Sequence, residues 1–170
     1  MKLDQKFFVP FMAVCAVVSM LFIVISSFNF KHQQEKDFAE YTRNNKELLT
    51  QSHPYVGKSD SLTLGELTGS PTVVFFWASW SDKSTEIMEE FDEFKSTHPG
   101  INIVAAVVKD ATEEVESILP EHNFIYIDGT ILFNTIRVPG IPSYLLLDDE
   151  GSLVSTHVGY KKGQVLEYLQ

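Results

Sequence analysis

The sequence predicts an α/β domain, with a mixed sheet flanked by helices, preceded by one transmembrane helix. Three observations lead to this prediction: an uncharged apolar segment near the N-terminus, short apolar runs that alternate with helical patterns, and a hairpin pattern late in the chain. Strands that alternate with helices are typical of parallel pairing, whereas a hairpin joins antiparallel strands. The sheet is therefore expected to contain both kinds of pairing.

Length and composition exclude several classes of protein. The 170 residues suit one domain of ordinary size with an appendage, and 44% of them are hydrophobic, which is too many for a disordered chain. A single Cys cannot form an intrachain disulfide, a thiol pair or a multi-Cys zinc site. The formal net charge of -10 disfavours nucleic acid as a partner, because its phosphates would be repelled.

The first element is an uncharged apolar run over residues 7–30. A helix needs about 20 residues to cross a hydrocarbon core of about 30 Å, so this run predicts an uncleaved membrane anchor. The alternative is a cleaved signal peptide, for which the run is long and residues 26–30 form a poor cleavage site. Cys15 is interpreted as a membrane-buried cysteine, because apolar residues continue well beyond it.

Charge alone does not orient this anchor. Lys2 and Lys6 precede the run, and Lys31 and Lys36 follow it, so the positive-inside rule favours neither direction. After the anchor, residues 31–53 are polar and lack Gly and Pro, which predicts a helical stalk. The predicted organisation is thus an anchor over residues 1–30, a stalk or linker over 31–53 and a domain over 54–170.

The domain reads as strands and helices in alternation. A continuous apolar run over 72–77 predicts a buried central strand, and apolar spacing of three and four residues over 84–96 predicts an amphipathic helix. The remaining predictions are strands at 101–108 and 124–127, helices at 111–119, 130–136 and 163–170, and a hairpin that joins 143–147 to 152–158 through the turn 148–151.

Short motifs in this domain carry a resemblance to a known family. FWASW at 76–80 and SDKS at 81–84 stand at the junction of the central strand and the following helix. VPGIPS at 138–143 and LLLDDEG at 145–151 follow downstream. The sequence resembles the thioredoxin fold, and more narrowly the membrane-anchored TlpA/ResA type of thiol-disulfide oxidoreductase. That family reads F-W-A-[ST]-W-C-x-x-C at the first position and V-x-G-[TI]-P-[TS] at the second.

The resemblance covers about residues 54–170 and implies several properties. The fold would be a thioredoxin-like three-layer arrangement around a mixed central sheet, and Pro142 would be the cis proline that faces the redox site. The backbone of the preceding residue, Ile141, would bind an extended peptide. The protein would be a signal-anchored, single-pass protein of a bacterial-type cytoplasmic membrane, with its soluble domain on the extracytoplasmic side, either periplasmic or at the cell surface.

Both motif cysteines are replaced, by Ser81 and Ser84. The family's chemistry needs a thiolate at a helix N-terminus, where the peptide dipoles stabilise negative charge, and a second thiol that resolves the mixed disulfide. A serine hydroxyl lacks both the acidity and the redox couple, and the one Cys lies in the predicted anchor. The chain is therefore predicted to be redox-inactive as written, with no catalytic residues.

Two origins of the serines remain open: natural loss in this lineage, or an engineered double Cys→Ser change in a working oxidoreductase. A hydrolytic role for either serine is disfavoured, because G-x-S-x-G is absent and His53, His98 and His157 are scattered. The histidines also give no metal-ligand spacing, so no metal and no cofactor are predicted.

The leading hypothesis is a membrane-tethered protein that binds a protein or extended peptide through the retained groove. The predicted groove residues are Trp80, Asp82, Lys83, Ile141 and Pro142. Strand addition supplies the main-chain hydrogen bonds of such binding, and an exposed aromatic ring supplies an anchor. The alternative function is thiol-disulfide exchange of the cytochrome c maturation type, with the cysteines replaced.

Overall fold

The computed structural model describes residues 5–110, 115, 122–163 and 165. The chain divides into two compact units, Met1–Lys36 and Asp37–Gln170. The first helix, α1, runs over Gln5–Asn44. It is a candidate transmembrane span by length and composition, since residues 7–30 within it carry no charge and the side chains of 8–30 are all exposed. Apolar side chains that face outward all around a helix are typical of a helix in contact with lipid.

The second unit is an α/β domain with a mixed sheet, as predicted. After α1, β1 (Ser52–Pro54) and β2 (Ser61–Thr63) form a small antiparallel ladder, and a 3-10 helix covers Leu64–Leu67. The remaining elements are β3 (Thr72–Trp77), α2 (Asp82–Thr97), β4 (Asn102–Val107), β5 (Ile125–Asp128), α3 (Thr130–Thr135), β6 (Ser143–Leu147) and β7 (Leu153–Val158).

The five-stranded sheet has the order β5-β4-β3-β6-β7, with β3 at its centre. β3 pairs parallel with β4, and β4 parallel with β5, whereas β6 is antiparallel to both β3 and β7. The carboxyl ends of β3, β4 and β5 and the start of β6 therefore meet at one edge. Ligands of open α/β sheets bind outside the carboxyl ends of the parallel strands, so we expect the functional site there.

Side chains of β3 alternate between two apolar layers. Phe75 packs against Phe91 of α2, with ring centroids 4.9 Å apart, on one face of the sheet. Phe76 packs on the other face, where the Phe38 ring lies 6.5 Å from it. All six β3 residues are buried, which accounts for the continuous apolar run in the sequence.

The segment 37–53, predicted to be a helical stalk or linker, contributes buried side chains to the second unit. Phe38, Thr42 and Leu48 are buried, and the first and last of these join the core cluster on the Phe76 face of the sheet. The helix that begins in the apolar segment continues only to Asn44, and strand β1 begins at Ser52.

The domain elements agree with the predicted ones to within about two residues, with two exceptions. β1, β2 and the 3-10 helix lie in a stretch for which the sequence predicted no strand or helix of the domain. Its two buried leucines, Leu62 and Leu64, stand among polar residues and glycines and give no periodic pattern. The predicted helices at 111–119 and 163–170 lie almost wholly outside the described residues. Val115 in the first and Val165 in the second are described, and both are buried.

Candidate functional site

The candidate site is the loop that joins the end of β3 to the start of α2, residues 78–81. Trp77 ends β3 and is almost completely buried, at 1% exposure, whereas Trp80 is 64% exposed. The chain makes this change within one tight turn, in which the Ser81 N–H donates to the Ala78 carbonyl at 3.2 Å. The loop thus presents one large aromatic side chain to solvent, beside the carboxyl ends of the parallel strands.

A carboxylate from the end of β4 holds this loop. Asp110 accepts a hydrogen bond from the Ser79 backbone N–H, at 2.5 Å, and another from the Ser79 hydroxyl, at 2.8 Å. Hydrogen bonds to a charged acceptor are roughly twice as strong as neutral ones, and two to the same residue fix its orientation. Asp110 therefore fixes the residue directly before Trp80.

The two motif serines occupy different environments. Ser81 is the N-cap residue of α2 and is half-buried, and its side chain makes no capping hydrogen bond. Ser84 is buried in the first turn, where its hydroxyl oxygen accepts a long hydrogen bond, 3.4 Å, from the Ala78 N–H. The serines thus lie at the positive end of a helix of 16 residues, the position at which thiols would be acidified.

Pro142 lies at the start of β6, beside the end of β3. The peptide bond between Ile141 and Pro142 is cis. The register pairs Ser143 with Phe76, so one further step along both strands sets Pro142 opposite Trp77, next to the 78–81 loop. The Pro142 carbonyl accepts a hydrogen bond from the Gly159 N–H at 2.9 Å, which ties this segment to β7.

Ile141 is half-buried, and its backbone is left available. Its N–H and C=O form no hydrogen bond to any described residue. Two neighbouring carbonyls are already bonded: the Ser143 hydroxyl donates to the Gly140 carbonyl at 2.7 Å, and the Gly159 N–H donates to the Pro142 carbonyl at 2.9 Å. An extended segment alongside Ile141 would meet one unpaired donor and one unpaired acceptor.

Asp82 and Lys83 lie in the first turn of α2, and both are exposed. The Lys83 ammonium is 2.7 Å from a Glu86 carboxylate oxygen and 5.8 Å from the centre of the Tyr160 ring. Surface pairs of this kind contribute little to stability. Their consequence is that Lys83 leans along α2 toward Tyr160 instead of standing free beside Trp80.

The structure therefore places the predicted groove residues at one edge of the sheet, on two segments: 80–83 from the β3–α2 junction, and 141–142 from the start of β6. A neighbouring cavity of about 280 Å³ at the ends of β4 and β5 is lined by residues that include Tyr55, Lys109, Asp110 and Asp128. Among the described residues, no group of acidic, His or Cys side chains could hold a metal ion.

Asp110 is the functional residue that sequence reasoning missed. It stands 31 residues from Ser79, just after a predicted strand, and nothing in the local sequence distinguishes it from other surface aspartates. The one available signal was its position: it follows the strand next to β3, and residues at such ends meet at the same edge of a parallel sheet.

Comparison with known proteins supports the fold assignment. A family model described as thioredoxin-like matches residues 69–153. DsbF of MTB has a TM-score of 0.62 and 18% identity, over 71% of this chain and 92% of that one. A putative thiol:disulfide interchange protein DsbE from Chlorobium tepidum has a TM-score of 0.60 and 21% identity, over 69% of this chain and 88% of that one. StoA from Bacillus subtilis has a TM-score of 0.56 and 18% identity, over 71% of this chain and 96% of that one.

A search of curated proteins finds no match to this sequence. At these identities, the likeness to the solved structures concerns the fold. The family model spans half of the chain and includes the β3–α2 junction, the buried central strand and the proline segment at the start of β6. The chain is a member of the thioredoxin-like family.

Proposed function

We propose that this protein is a membrane-tethered, redox-inactive member of the TlpA/ResA type that binds an extended protein segment through the groove between Trp80 and Ile141. The observation that carries the proposal is the pairing of an exposed aromatic anchor with an unpaired backbone. Trp80 is 64% exposed, and the Ile141 N–H and C=O have no hydrogen-bond partner among the described residues. Strand addition uses both features.

The loss of sulfur supports binding instead of catalysis. The only Cys in the chain is Cys15, within the apolar part of α1. Ser81 and Ser84 keep the shape of the β3–α2 junction, but a hydroxyl cannot form or exchange a disulfide. A partner would therefore be held by hydrogen bonds and ring contacts alone, and would dissociate without covalent chemistry.

The tether is proposed from α1. Its apolar part is long enough to cross a hydrocarbon core, and we propose that it stays uncleaved with the domain on the extracytoplasmic side. Solved structures with the same fold include a protein described as a secreted disulfide oxidoreductase, which favours that side. A tethered binding domain would retain its partner close to the membrane surface.

The test uses Trp80→Ala in the full-length protein, with partners cross-linked in cells and then recovered. Removal of an interface anchor typically costs about 2 kcal/mol or more, which corresponds to about a 30-fold loss of affinity. We expect recovery of the partner to fall accordingly. The matched control is Ile131→Ala, since Ile131 is 59% exposed on α3 and lies outside the groove. Equal recovery with Trp80→Ala and with the control would count against the groove.

A second candidate function is thiol-disulfide exchange in a form whose cysteines have been replaced. The favouring observation is that Ser81 and Ser84 still stand at the N-terminus of a long helix beside Pro142. The double variant Ser81→Cys with Ser84→Cys restores a dithiol. Under the binding proposal it reduces a test disulfide no faster than free dithiols do. Reduction well above that rate would favour a recent or engineered loss of activity.

A further inference from the structure

One edge of the five-stranded sheet is covered by the chain. At β5, the Val56 N–H donates to the Tyr126 carbonyl at 3.1 Å, and Tyr55 bridges to Ile127. β7 forms the opposite edge, and among the described residues no strand lies beyond it. An uncovered edge strand offers a row of backbone donors and acceptors to any extended segment that aligns with it.

The outward-facing backbone groups of β7 belong to Thr156 and Val158. The Gly159 N–H donates to the Pro142 carbonyl, and the same register continues along β7. Inward-facing and outward-facing residues alternate in an antiparallel ladder, so His157 faces β6 while Thr156 and Val158 face away from it. The backbones of these two residues form no hydrogen bond to any described residue.

β7 lacks the usual protections of an edge strand over most of its length. Its sequence, LVSTHV, contains no Lys, Asp, Glu or Pro, the residues that commonly keep edge strands apart. One protection is present: the register shifts at the start of the strand, where Leu147 pairs with Leu153 and Leu146 with Ser155. The regular edge is therefore 155–158.

The charges that flank β7 are opposite at its two ends. Asp149 and Glu150 lie in the turn before the strand, and Lys161 and Lys162 follow its end, and all four are exposed. In an antiparallel pair, the start of one strand lies beside the end of the other. A second copy of β7 would thus bring lysines to the acidic turn at both ends, whereas a parallel arrangement would bring like charges together.

We propose that two copies of this chain associate through β7, antiparallel, with a two-fold axis at Thr156. Each copy then faces the other with the same residues, as a two-fold interface requires. Thr156 lies opposite Thr156 of the second copy, a favourable cross-strand pair, and the acidic turn of each copy lies on the side of Lys161 and Lys162 of the other. This surface is separate from the groove at Trp80, so it does not depend on the proposed peptide binding.

The ladder between the two copies of β7 would be short, because the regular part of the strand covers only residues 155–158. Its association is therefore expected to be weak unless the two copies are held close together. Tethering to one membrane raises the effective concentration of each copy for the other, as linked binding modules do. The same pairing is therefore expected to be stronger in liposomes than in dilute detergent micelles. The tests below use the full-length chain for that reason.

The first test is disulfide trapping in liposomes, in a Cys15→Ser background. With the axis at Thr156, the two copies of Thr156→Cys lie about 5.5 Å apart at Cα, within the range that a disulfide bridges. Ser155→Cys is the control, because Ser155 would face His157 of the second copy and not itself. We expect about tenfold more cross-linked dimer with Thr156→Cys. Equal yields from the two variants would overturn the proposed register.

The second test measures mass by sedimentation, at a protein density in the membrane mimic that gives the parent chain as a dimer. Thr156→Lys sets two ammonium groups against each other across the axis and is expected to return the chain to a monomer. Thr135→Lys, at an exposed residue of α3, adds the same charge elsewhere and is expected to leave the dimer intact. A parent chain that stays monomeric at high density, or a Thr156→Lys chain that stays dimeric, overturns the proposal.

Discussion

Ser81 and Ser84 show how differently two positions of one motif are held. Ser84 is buried and close to the Ala78 N–H, whereas Ser81 is half-buried and makes no side-chain capping bond. The identity of both residues is visible in the sequence. The difference between them is not, because it comes from how the β3–α2 junction packs.

At the residue scale, His53 predicts a pH dependence of stability. His53 lies in β1, is buried, and its Nε2 has no hydrogen-bond partner among the described residues. Burial lowers the pKa of His53 below its ordinary value of 6.5, opposed in part by the charge of Asp128. A folded-state pKa below the unfolded one means that the unfolded state binds the proton more readily, so stability is lost as pH falls below 6.5.

Urea unfolding of the parent and of His53→Leu at about pH 7.5 and about pH 5.5, one unit to either side of the ordinary histidine pKa, measures this effect. The parent is expected to lose more free energy of unfolding than the variant over this interval. His98→Gln, at an exposed histidine, serves as the control and should follow the parent. A His53→Leu protein with the same pH profile as the parent would contradict the assignment.

At the scale of elements, the loop 78–81 is predicted to depend on Asp110. Asp110→Ala removes both acceptors of Ser79, and the loss of a charged acceptor typically costs about 1.5–3 kcal/mol. The amide of Ser79 should then exchange with deuterium much faster, while the amides of β3 remain protected. Hydrogen exchange read by mass spectrometry or NMR checks this outcome.

Asp128→Ala is the matched control, because Asp128 accepts from the Thr130 N–H at 2.9 Å in the neighbouring loop. It should loosen the start of α3 and leave Ser79 protected. If both variants expose Ser79 equally, the effect is a general loss of stability and not a local role of Asp110.

The elements divide clearly into those that the sequence predicts and those that it does not. β3 matches its prediction residue for residue, because a strand buried on both faces is a continuous apolar run. α2 matches because one apolar stripe repeats along it. β1 and β2 span three residues each and depend on a partner strand, and the bonds of Asp110 depend on a contact across 31 positions. Both depend on residues that are distant in the sequence, so local sequence patterns do not predict them.

At the scale of the whole molecule, the folded unit is expected to begin before the predicted domain boundary. A fragment of residues 37–170 keeps Phe38 and Leu48 in the core, whereas a fragment of 54–170 lacks them and also lacks Ser52 and His53 of β1. Loss of a buried Phe alone typically costs about 3–5 kcal/mol, a large part of the stability of a domain. Thermal unfolding should show a cooperative transition for the longer fragment and a much lower midpoint for the shorter one.

Phe38→Ala in the longer fragment separates packing from length. It should lower the midpoint, whereas Tyr41→Ala, at a more exposed residue of the same helix, should lower it less. Equal midpoints for the two fragments would contradict this expectation and would place the start of the folded unit at residue 54.

The two tryptophans of the chain give this protein a built-in optical probe. Trp77 is shielded at the end of β3, and Trp80 stands in water three positions later. Indole emission shifts to longer wavelength in water, so the spectrum is a sum of a blue component and a red one, and a soluble quencher reaches only the second. A ligand that covers the groove should change the red component alone, and unfolding should change the blue one. Occupancy and stability can thus be followed separately in one cuvette, without a label.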